Sequence, residues 1–440
     1  MTSVISAGKT ETWTNWAGDR TCHPQAIERP TSRGQLVDLI GRSAASDRQV
    51  TVRGSGHSFT GAPLTDDVMV DLSGLSGVID ADLDSGLVKV MGGTVLADAN
   101  RELDRLGRAL INLGDIDRQT VAGAISTGTH GTGETMPNLP AQVAALDIVT
   151  ADGEVRTFTE DDGDEMIRAA RVAVGSLGVI SAVTLRTAPA FNLHREDVPI
   201  PLDQVLSDFD ELAAANRHFE FFVFPYTETA LTLRRNPTDR PPAPRSGVER
   251  FISDRVIENG IGDLALRGLK RVPDLIPRVA RFSSRFMTQS EQIDTAHRLF
   301  VNYRTIRFTE MEYCLPREHG LEALTRVLDL VREEKMPMGM PIECRVLAPD
   351  DAMLSMSYER SSIYVAVHQH ATAEWRPWFE QIEQIFTEYQ GRPHWGKRHT
   401  RTAAELAELY PEWDSFQKVR DELDPDRVFT NEYLREVLGE

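Results

Sequence analysis

Between Trp13 and Ala188 the hydrophobic residues fall in short runs broken by glycine, a pattern that predicts strands. Arg48–Arg53 (RQVTVR) predicts a strand running into the turn-prone Gly54-Ser55-Gly56-His57-Ser58. Val68–Leu72 and Leu87–Met91 predict two more, the second ending at Gly92-Gly93. Helical spacing lies between them: Ser32–Ser43 puts Leu36, Leu39 and Ile40 on one face, and Val95–Leu106 does the same with Leu96, Ala99, Leu103 and Leu106. Ile148–Arg156 predicts a hairpin with Asp152-Gly153 as its positive-φ pair. Asp161–Val174 reads as a helix, and Gly175–Pro189 returns to strand. This mixture predicts an α+β unit over residues 13–188.

The pattern changes after Phe191. Longer apolar runs (Glu220–Phe224, Phe308–Tyr313, Ile342–Leu347) alternate with amphipathic stretches such as Leu321–Glu333, predicting a second α+β unit over 189–401. Residues 236–247 (NPTDRPPAPRSG) have a loop composition. The following stretch, 248–286, reads as surface helices with mixed charge. From Thr402 the chain is helical again, giving a C-terminal segment, 402–440. No internal repeat or heptad run occurs.

Composition excludes more than it assigns. Apolar residues make up 41% and charged ones 26%, so a large core can be buried. Asp and Glu total 67 against 48 Lys and Arg, a net charge of -19, which disfavours a nucleic-acid or anionic-membrane partner. The three cysteines (Cys22, Cys314, Cys344) are far apart, which excludes a disulfide scaffold and a Cys-based metal site. The N-terminus lacks a basic start and apolar run, and no stretch reaches 18 apolar residues. A cytoplasmic protein without a membrane span is therefore the expectation.

Two glycine-rich clusters carry candidate chemistry. In the first, Arg53 to Phe59, glycines after a strand leave backbone N–H groups free to face an anion, yet Phe59 in sixth place breaks a Rossmann fingerprint. The second runs from Asn112 to Gly133, with glycines at 114, 123, 128, 131 and 133 and several Ser and Thr residues. Such a segment lets backbone approach a large ligand while hydroxyls donate to it. Val121, Ala124 and Ile125 within it read as buried. It has no Walker lysine, which argues against nucleotide-triphosphate hydrolysis.

VRGSGHSF, the GDIDRQTVAGAISTGTHGTG run and GSLGVISAVTL together resemble the PCMH-type flavin-binding domain of the vanillyl-alcohol-oxidase superfamily. His394-Trp395-Gly396-Lys397 narrows the resemblance to the sugar-1,4-lactone oxidase branch, with alditol oxidases close by. The resemblance implies a two-lobed FAD-binding domain followed by a substrate-binding cap domain with an antiparallel sheet. It implies that Arg53, Gly54, Ser55, Gly56, His57 and Ser58 hold the pyrophosphate, and that His57 is bonded covalently to the flavin 8α carbon. Thr120, Gly123, Ala124, Ser126, Thr127, Gly128, His130 and Gly131 are implied along the flavin and phosphates, and Gly178, Val179 and Ile180 on the adenine side. At the position of Gly114, glycine leaves dioxygen a path to the flavin edge, which implies an oxidase making hydrogen peroxide. Asp115 departs from the small polar residue often found next, and a cytochrome- or quinone-type acceptor stays open.

The second half supplies the remaining chemistry. Glu343 and Arg345 are two apart on a predicted strand and share a face, as do His368 and His370. Taken alone, the first pair reads as a surface salt bridge and the second as a polar strand face. A metal reading would join Glu343 to both histidines, but nothing else has metal spacing, so no metal is expected. The resemblance implies instead that Glu343, Arg345, His368 and Lys397 lie over the flavin. Alcohol oxidation then assigns proton removal to His368, helped by Glu343, and charge stabilisation to Arg345 and Lys397. Glu310 and Glu312 read as core-edge residues. The expected substrate is a small sugar lactone of the L-gulono-1,4-lactone or D-arabinono-1,4-lactone type. The alternatives are an open-chain polyol, a flavin-fold binding protein without turnover, and a zinc hydrolase.

Overall fold

The computed structural model describes residues 11–160, 164–244, 267–302 and 306–440. Three sheets organise it, and two two-stranded ribbons complete the strand set among the described residues. The first sheet has three parallel strands, β1 (Ala26–Glu28), β2 (Val50–Arg53) and β3 (Val68–Asp71), with β3 in the middle. Helix α1 (Arg33–Ala45) covers it: Ser32 caps the helix by accepting the Gln35 N–H, and Leu36, Leu39 and Ile40 face inward as the spacing predicts. The second sheet is antiparallel, in the order β7-β6-β8-β5-β4. Its strands are β4 (Val78–Asp82), β5 (Leu87–Met91), β6 (Val143–Val149), β7 (Val155–Thr159) and β8 (Val179–Arg186). Helices α2 (Leu96–Arg105), α3 (Val121–Ser126) and α4 (Asp164–Arg171) contribute to the same core.

The third sheet spans the second half. It contains β9 (Asn192–Pro201), β10 (His218–Val223), β11 (Thr229–Thr238), β12 (Ser290–Thr295), β13 (Phe308–Pro316), β14 (Ile342–Leu347), β15 (Ser362–His370) and β16 (Arg392–Pro393). They pair antiparallel in the order β12-β9-β11-β10-β14-β15-β13-β16. Side-chain alternation gives this sheet two unlike faces. Phe219, Phe221, Met311, Tyr313, Ile342, Cys344, Val346, Val365 and Val367 join one apolar cluster with α6 (Gly320–Glu333) and α7 (Arg376–Glu388). The alternate positions put Glu220, Glu310, Glu312, Glu343, Arg345 and His368 on the opposite face, where all six are buried. Burying that many ionisable groups is costly unless each is paired, so this face is where chemistry is to be sought.

The FAD-binding part and a second α+β part follow the expected fold class. Three local expectations need correction. Only Gly153 of the Asp152-Gly153 pair has positive φ, +79°; Asp152 instead accepts the Thr150 hydroxyl at 2.6 Å and the Glu154 N–H at 3.0 Å, so a five-residue loop closes the hairpin. The proline-rich loop starts after Thr238, because β11 keeps pairing with β9 through Asn236 and Pro237. Helix α4 ends at Arg171, three residues early, and Asp161 to Gly163 lie outside the described residues. Of the helical stretch expected at 248–286, residues up to 266 also lie outside them. The part from 267 contains α5 (Ile276–Ser284).

The last three helices, α8 (Ala403–Leu409), α9 (Trp413–Leu423) and α10 (Glu432–Leu438), return to the first half. Trp413, Phe416, Val419, Leu434, Val437 and Leu438 belong to the same cluster as Val88, Val90 and Leu146. Val428 and Phe429 complete the core beneath β2 and β3, and the Val428 carbonyl accepts the Val50 N–H at 2.8 Å. Among the described residues no helix is long and apolar enough to cross a membrane.

Candidate active site

A cleft of about 1480 Å³, its open mouth included, runs between the first half and the polar face of the third sheet. One end is built by the loop after β2. None of the five N–H groups from Gly54 to Ser58 is seen to donate to another protein group among the described residues, and all five residues line the cleft, which leaves these donors to an anion. Gly54 is required there by contact: a Cβ would sit 2.4 Å from Thr120 Oγ1, the atom that caps α3 by accepting the Gly123 N–H. Loop and helix are thereby pressed together, and Gly123, Ser126 and Thr127 line the same wall. These donors and this close backbone suit the pyrophosphate and ring of FAD.

The other end is polar and dry. Lys397 is hydrogen-bonded to Glu310, and His368 Nε2 stands 3.6 Å from the other oxygen of that carboxylate. The register places Glu310 directly opposite His368. Burial would raise the Glu310 carboxyl, but Lys397 and then His368 hold it well below the ordinary 4.5. Burial would likewise lower Lys397, yet Glu310 and Glu312 keep it above 10.5, so the cation persists. Arg345 faces Glu220 across β10 and β14 at 2.8 Å, binds Glu343 on its own strand, and lies 3.7 Å from Asp115. Its burial is more than offset by Glu343, Glu220 and Asp115, and its pKa is held well above 12.5.

A third pair joins His130 Nε2 to Glu312 at 3.0 Å, with Glu312 lowered to about 2 because His130 outweighs its burial. His130, Glu312 and His394 bring their ligand atoms within 4.8 Å of one another, a spacing a metal could use. His394 Nδ1 accepts the Gly396 N–H at 2.9 Å. His130 Nδ1 donates to the Gly131 carbonyl at 3.0 Å, which turns its Nε2 toward Glu312.

The chain matches the family described as D-arabinono-1,4-lactone oxidase over residues 183–437, and an FAD-binding domain over residues 24–159. It is 48% identical to L-gulono-1,4-lactone dehydrogenase of Mycobacterium tuberculosis, over 97% of this chain and 99% of that one. The chain belongs to the D-arabinono-1,4-lactone oxidase family. As a member it is an FAD-dependent oxidoreductase. It is also 32% identical to alditol oxidase of a Streptomyces species (97% and 98% covered) and 30% identical to L-gulonolactone oxidase of Mus musculus (96% and 97%). Cholesterol oxidase from Brevibacterium sterolicum shares the fold, with a TM-score of 0.81 at 16% identity over 98% of this chain and 97% of that one.

Most residues singled out in the sequence of this lactone-oxidase family member line the cleft: Arg53 to Ser58, Gly114, Asp115, Thr120, Gly123, Ser126, Thr127, His130, Gly178, Ile180, Arg345 and Lys397. Six do not. Ala124 and Val179 are fully buried in apolar cores, Gly128 lies against Met356, and Gly131 packs on Asn112 and the Leu113 carbonyl. Glu343 and His368 stand one layer behind the wall, touching Arg345 and Glu310. Glu310 and Glu312, expected at a core edge, line the cleft instead. The missed signal was a period of two: Phe308, Glu310 and Glu312 all face it, whereas Met311 and Tyr313 face the apolar cluster. Trp16, which stacks 5.3 Å from the His57 ring, carried no signal at all in its sequence neighbourhood.

Gly178 gives a direct test of this wall. Its φ is +131°, and a Cβ would lie 2.6 Å from both Ile148 Cγ2 and the Val149 carbonyl. Backbone strain alone costs about 1–3 kcal/mol at such a φ. Gly178→Ala is expected to lower the urea midpoint by at least that equivalent and to weaken FAD retention on gel filtration. An unchanged midpoint would contradict the placement of β8.

Proposed function

We propose that the protein oxidises one hydroxyl of a sugar-1,4-lactone, of the L-gulono-1,4-lactone or D-arabinono-1,4-lactone type. The observation that carries this reading is the polar end of the cleft, lined by Glu310, Glu312, Arg345 and Lys397 together with Asp115, His130 and His394. A guest rich in hydroxyl and carbonyl oxygens can satisfy those groups, and an apolar alcohol cannot. FAD bound along Arg53–Ser58 and Gly114–Thr127 supplies the acceptor for a hydride from the alcohol carbon.

Glu310, the cleft-facing carboxylate, takes the hydroxyl proton. An acid held so far below 4.5 does not keep it near neutrality, and the His368 imidazole behind it, when its Nε2 is unprotonated, receives it in turn. The Nδ1 of His368 is committed to the Pro341 carbonyl at 2.9 Å, which leaves Nε2 turned to Glu310. Lys397 and Arg345 hold positive charge beside the substrate oxygens, and Glu343, Glu220 and Asp115 fix the guanidinium. The roles differ from the sequence expectation in two respects: Glu310 takes the place between His368 and the substrate, and Glu343 serves Arg345.

The test is anaerobic bleaching of the flavin by gulono- and arabinonolactone against xylitol and sorbitol. Lactone bleaching at least ~tenfold faster than polyol bleaching supports the reading. The reverse order would assign an alditol oxidase, a relative of which is 32% identical. Gly114 supports dioxygen as oxidant, with hydrogen peroxide as product, while the dehydrogenase name of the 48% identical relative favours another acceptor. An oxygen electrode against a dye-linked assay separates them.

The proposal extends to a covalent link between His57 and the flavin. The His57 ring faces the cleft, and burial, followed by Lys397 and Arg118, lowers its pKa to about 4, so it stands as a neutral imidazole able to bond carbon. Yellow colour is expected to stay in the acid-precipitated pellet of the parent and to pass to the supernatant in His57→Ala. Colour free in both would remove the linkage from the proposal.

A further inference from the structure

Helix α5 and the turn that follows it carry an apolar stripe with no cover among the described residues. Leu275, Val279, Phe282 and Phe286 recur at steps of four, three and four, which puts them on one line along the helix. They are 39%, 38%, 61% and 66% exposed, whereas Ile276 faces the protein and is buried. The two phenyl rings meet edge to face at 5.0 Å. Arg271, Arg278, Arg281 and Arg285 are exposed beside them. Residues 267–287 hold six basic side chains and one acidic one, Asp274, in a chain whose net charge is -19.

We propose that this helix docks the protein on the surface of an anionic phospholipid bilayer. The helix lies flat, with Phe282, Phe286, Val279 and Leu275 entering the boundary between headgroups and acyl chains and the arginines meeting lipid phosphates. The overall acidity does not oppose this, because screening confines each charge to about 8 Å at physiological salt, and within that range the helix is basic. A second copy of the chain is a poorer occupant: in a two-fold pair the same face meets itself, and the guanidiniums would be brought together. Lys270 donates to the Thr372 carbonyl, just past His370 at the end of β15, so the docking element is tied to the sheet that carries the polar face of the cleft. Docking would hold that sheet end toward the lipid surface.

Co-sedimentation of the full-length, FAD-loaded protein with vesicles tests this. With about 30% phosphatidylglycerol in phosphatidylcholine, binding is expected at low salt, and it is expected to fall at least ~tenfold on pure phosphatidylcholine. The same fall is expected for Phe282→Ser/Phe286→Ser and for Arg278→Glu/Arg281→Glu, with melting temperature and flavin spectrum unchanged. Equal binding to neutral vesicles, equal binding by the variants, or no binding at low salt would each overturn the assignment. If the phenylalanine variant instead dissolves a dimer seen by light scattering, the stripe is a self-interface and the bilayer is not its partner.

Discussion

Arg345→Met is expected to lower kcat/KM for the lactone by at least about a thousandfold and to destabilise the protein by about 3–5 kcal/mol. Both effects have one source. The guanidinium is buried between Glu220, Glu343 and Asp115 and pairs with all three. Methionine fills much the same volume but removes the charge that pairs with all three carboxylates, and Arg235, which bonds Glu220 at 2.8 Å, serves only one of them. The carboxylates must then take up protons or admit water, and either outcome reshapes the polar end of the cleft. Arg345→Lys keeps a charge but cannot bond two acids in a plane, so it should recover part of the stability and little of the rate. Urea unfolding and anaerobic flavin reduction read the two effects separately. A methionine variant within about threefold of the parent rate, far inside the effect of losing one transition-state charge partner, would end the role given to this residue.

Lys397→Met is expected to cost about a hundredfold to a thousandfold in kcat and to move the acid limb of the pH profile upward. In the parent, Glu310 and Glu312 have depressed pKa values, Glu312 down to about 2. Their ionised forms therefore favour the folded state above about pH 4.5, and that contribution drains away as pH falls through the depressed values. Lys397 is the larger of the two influences holding Glu310 down. Without it, burial is opposed by His368 alone and the carboxyl rises, so the fall in kcat/KM on acidification begins at higher pH than in the parent. A rate profile from pH 4 to pH 8, recorded for both proteins by stopped-flow bleaching, measures the displacement. Loss of rate with an unmoved acid limb would leave Lys397 a role at the substrate and detach it from Glu310.

How much of this was legible before any coordinates depends on whether the signal was local. The loop after β2 was readable only together with the second glycine cluster, since two glycines after a strand equally make an ordinary turn, and α3 was readable because Thr120, Gly123 and the buried Val121, Ala124 and Ile125 form one short pattern. The Glu343-x-Arg345 pair was also visible, though its partner was not. Glu220 is 125 residues away from Arg345, and only strand register brings them opposite. Glu310 was misread for a related reason. Every residue of β13 from Phe308 to Leu315 is buried, so its two faces differ in residue type and not in exposure, and the two glutamates read as the edge of a core. The difference between its faces lies in what covers them, helix α7 on one side and the cleft on the other. The basic character of α5 was hidden by the net charge, an average that says nothing about a patch one helix long.

The way the tail laces into the first half bears on how the protein is made. Asn431 holds the carbonyls of Gly61, Ala62 and Leu64, and Leu434 itself lines the cleft, so residues 370 positions further along the chain complete a pocket begun by the loop after β2. Until α10 has been synthesised and docked, the nucleotide-binding half has an open flank. Vitamin-derived pigment is therefore expected to be held fast only once that helix is in place, and a chain cut before Asn431 is expected to lose it on gel filtration, whatever the integrity of its glycine loops.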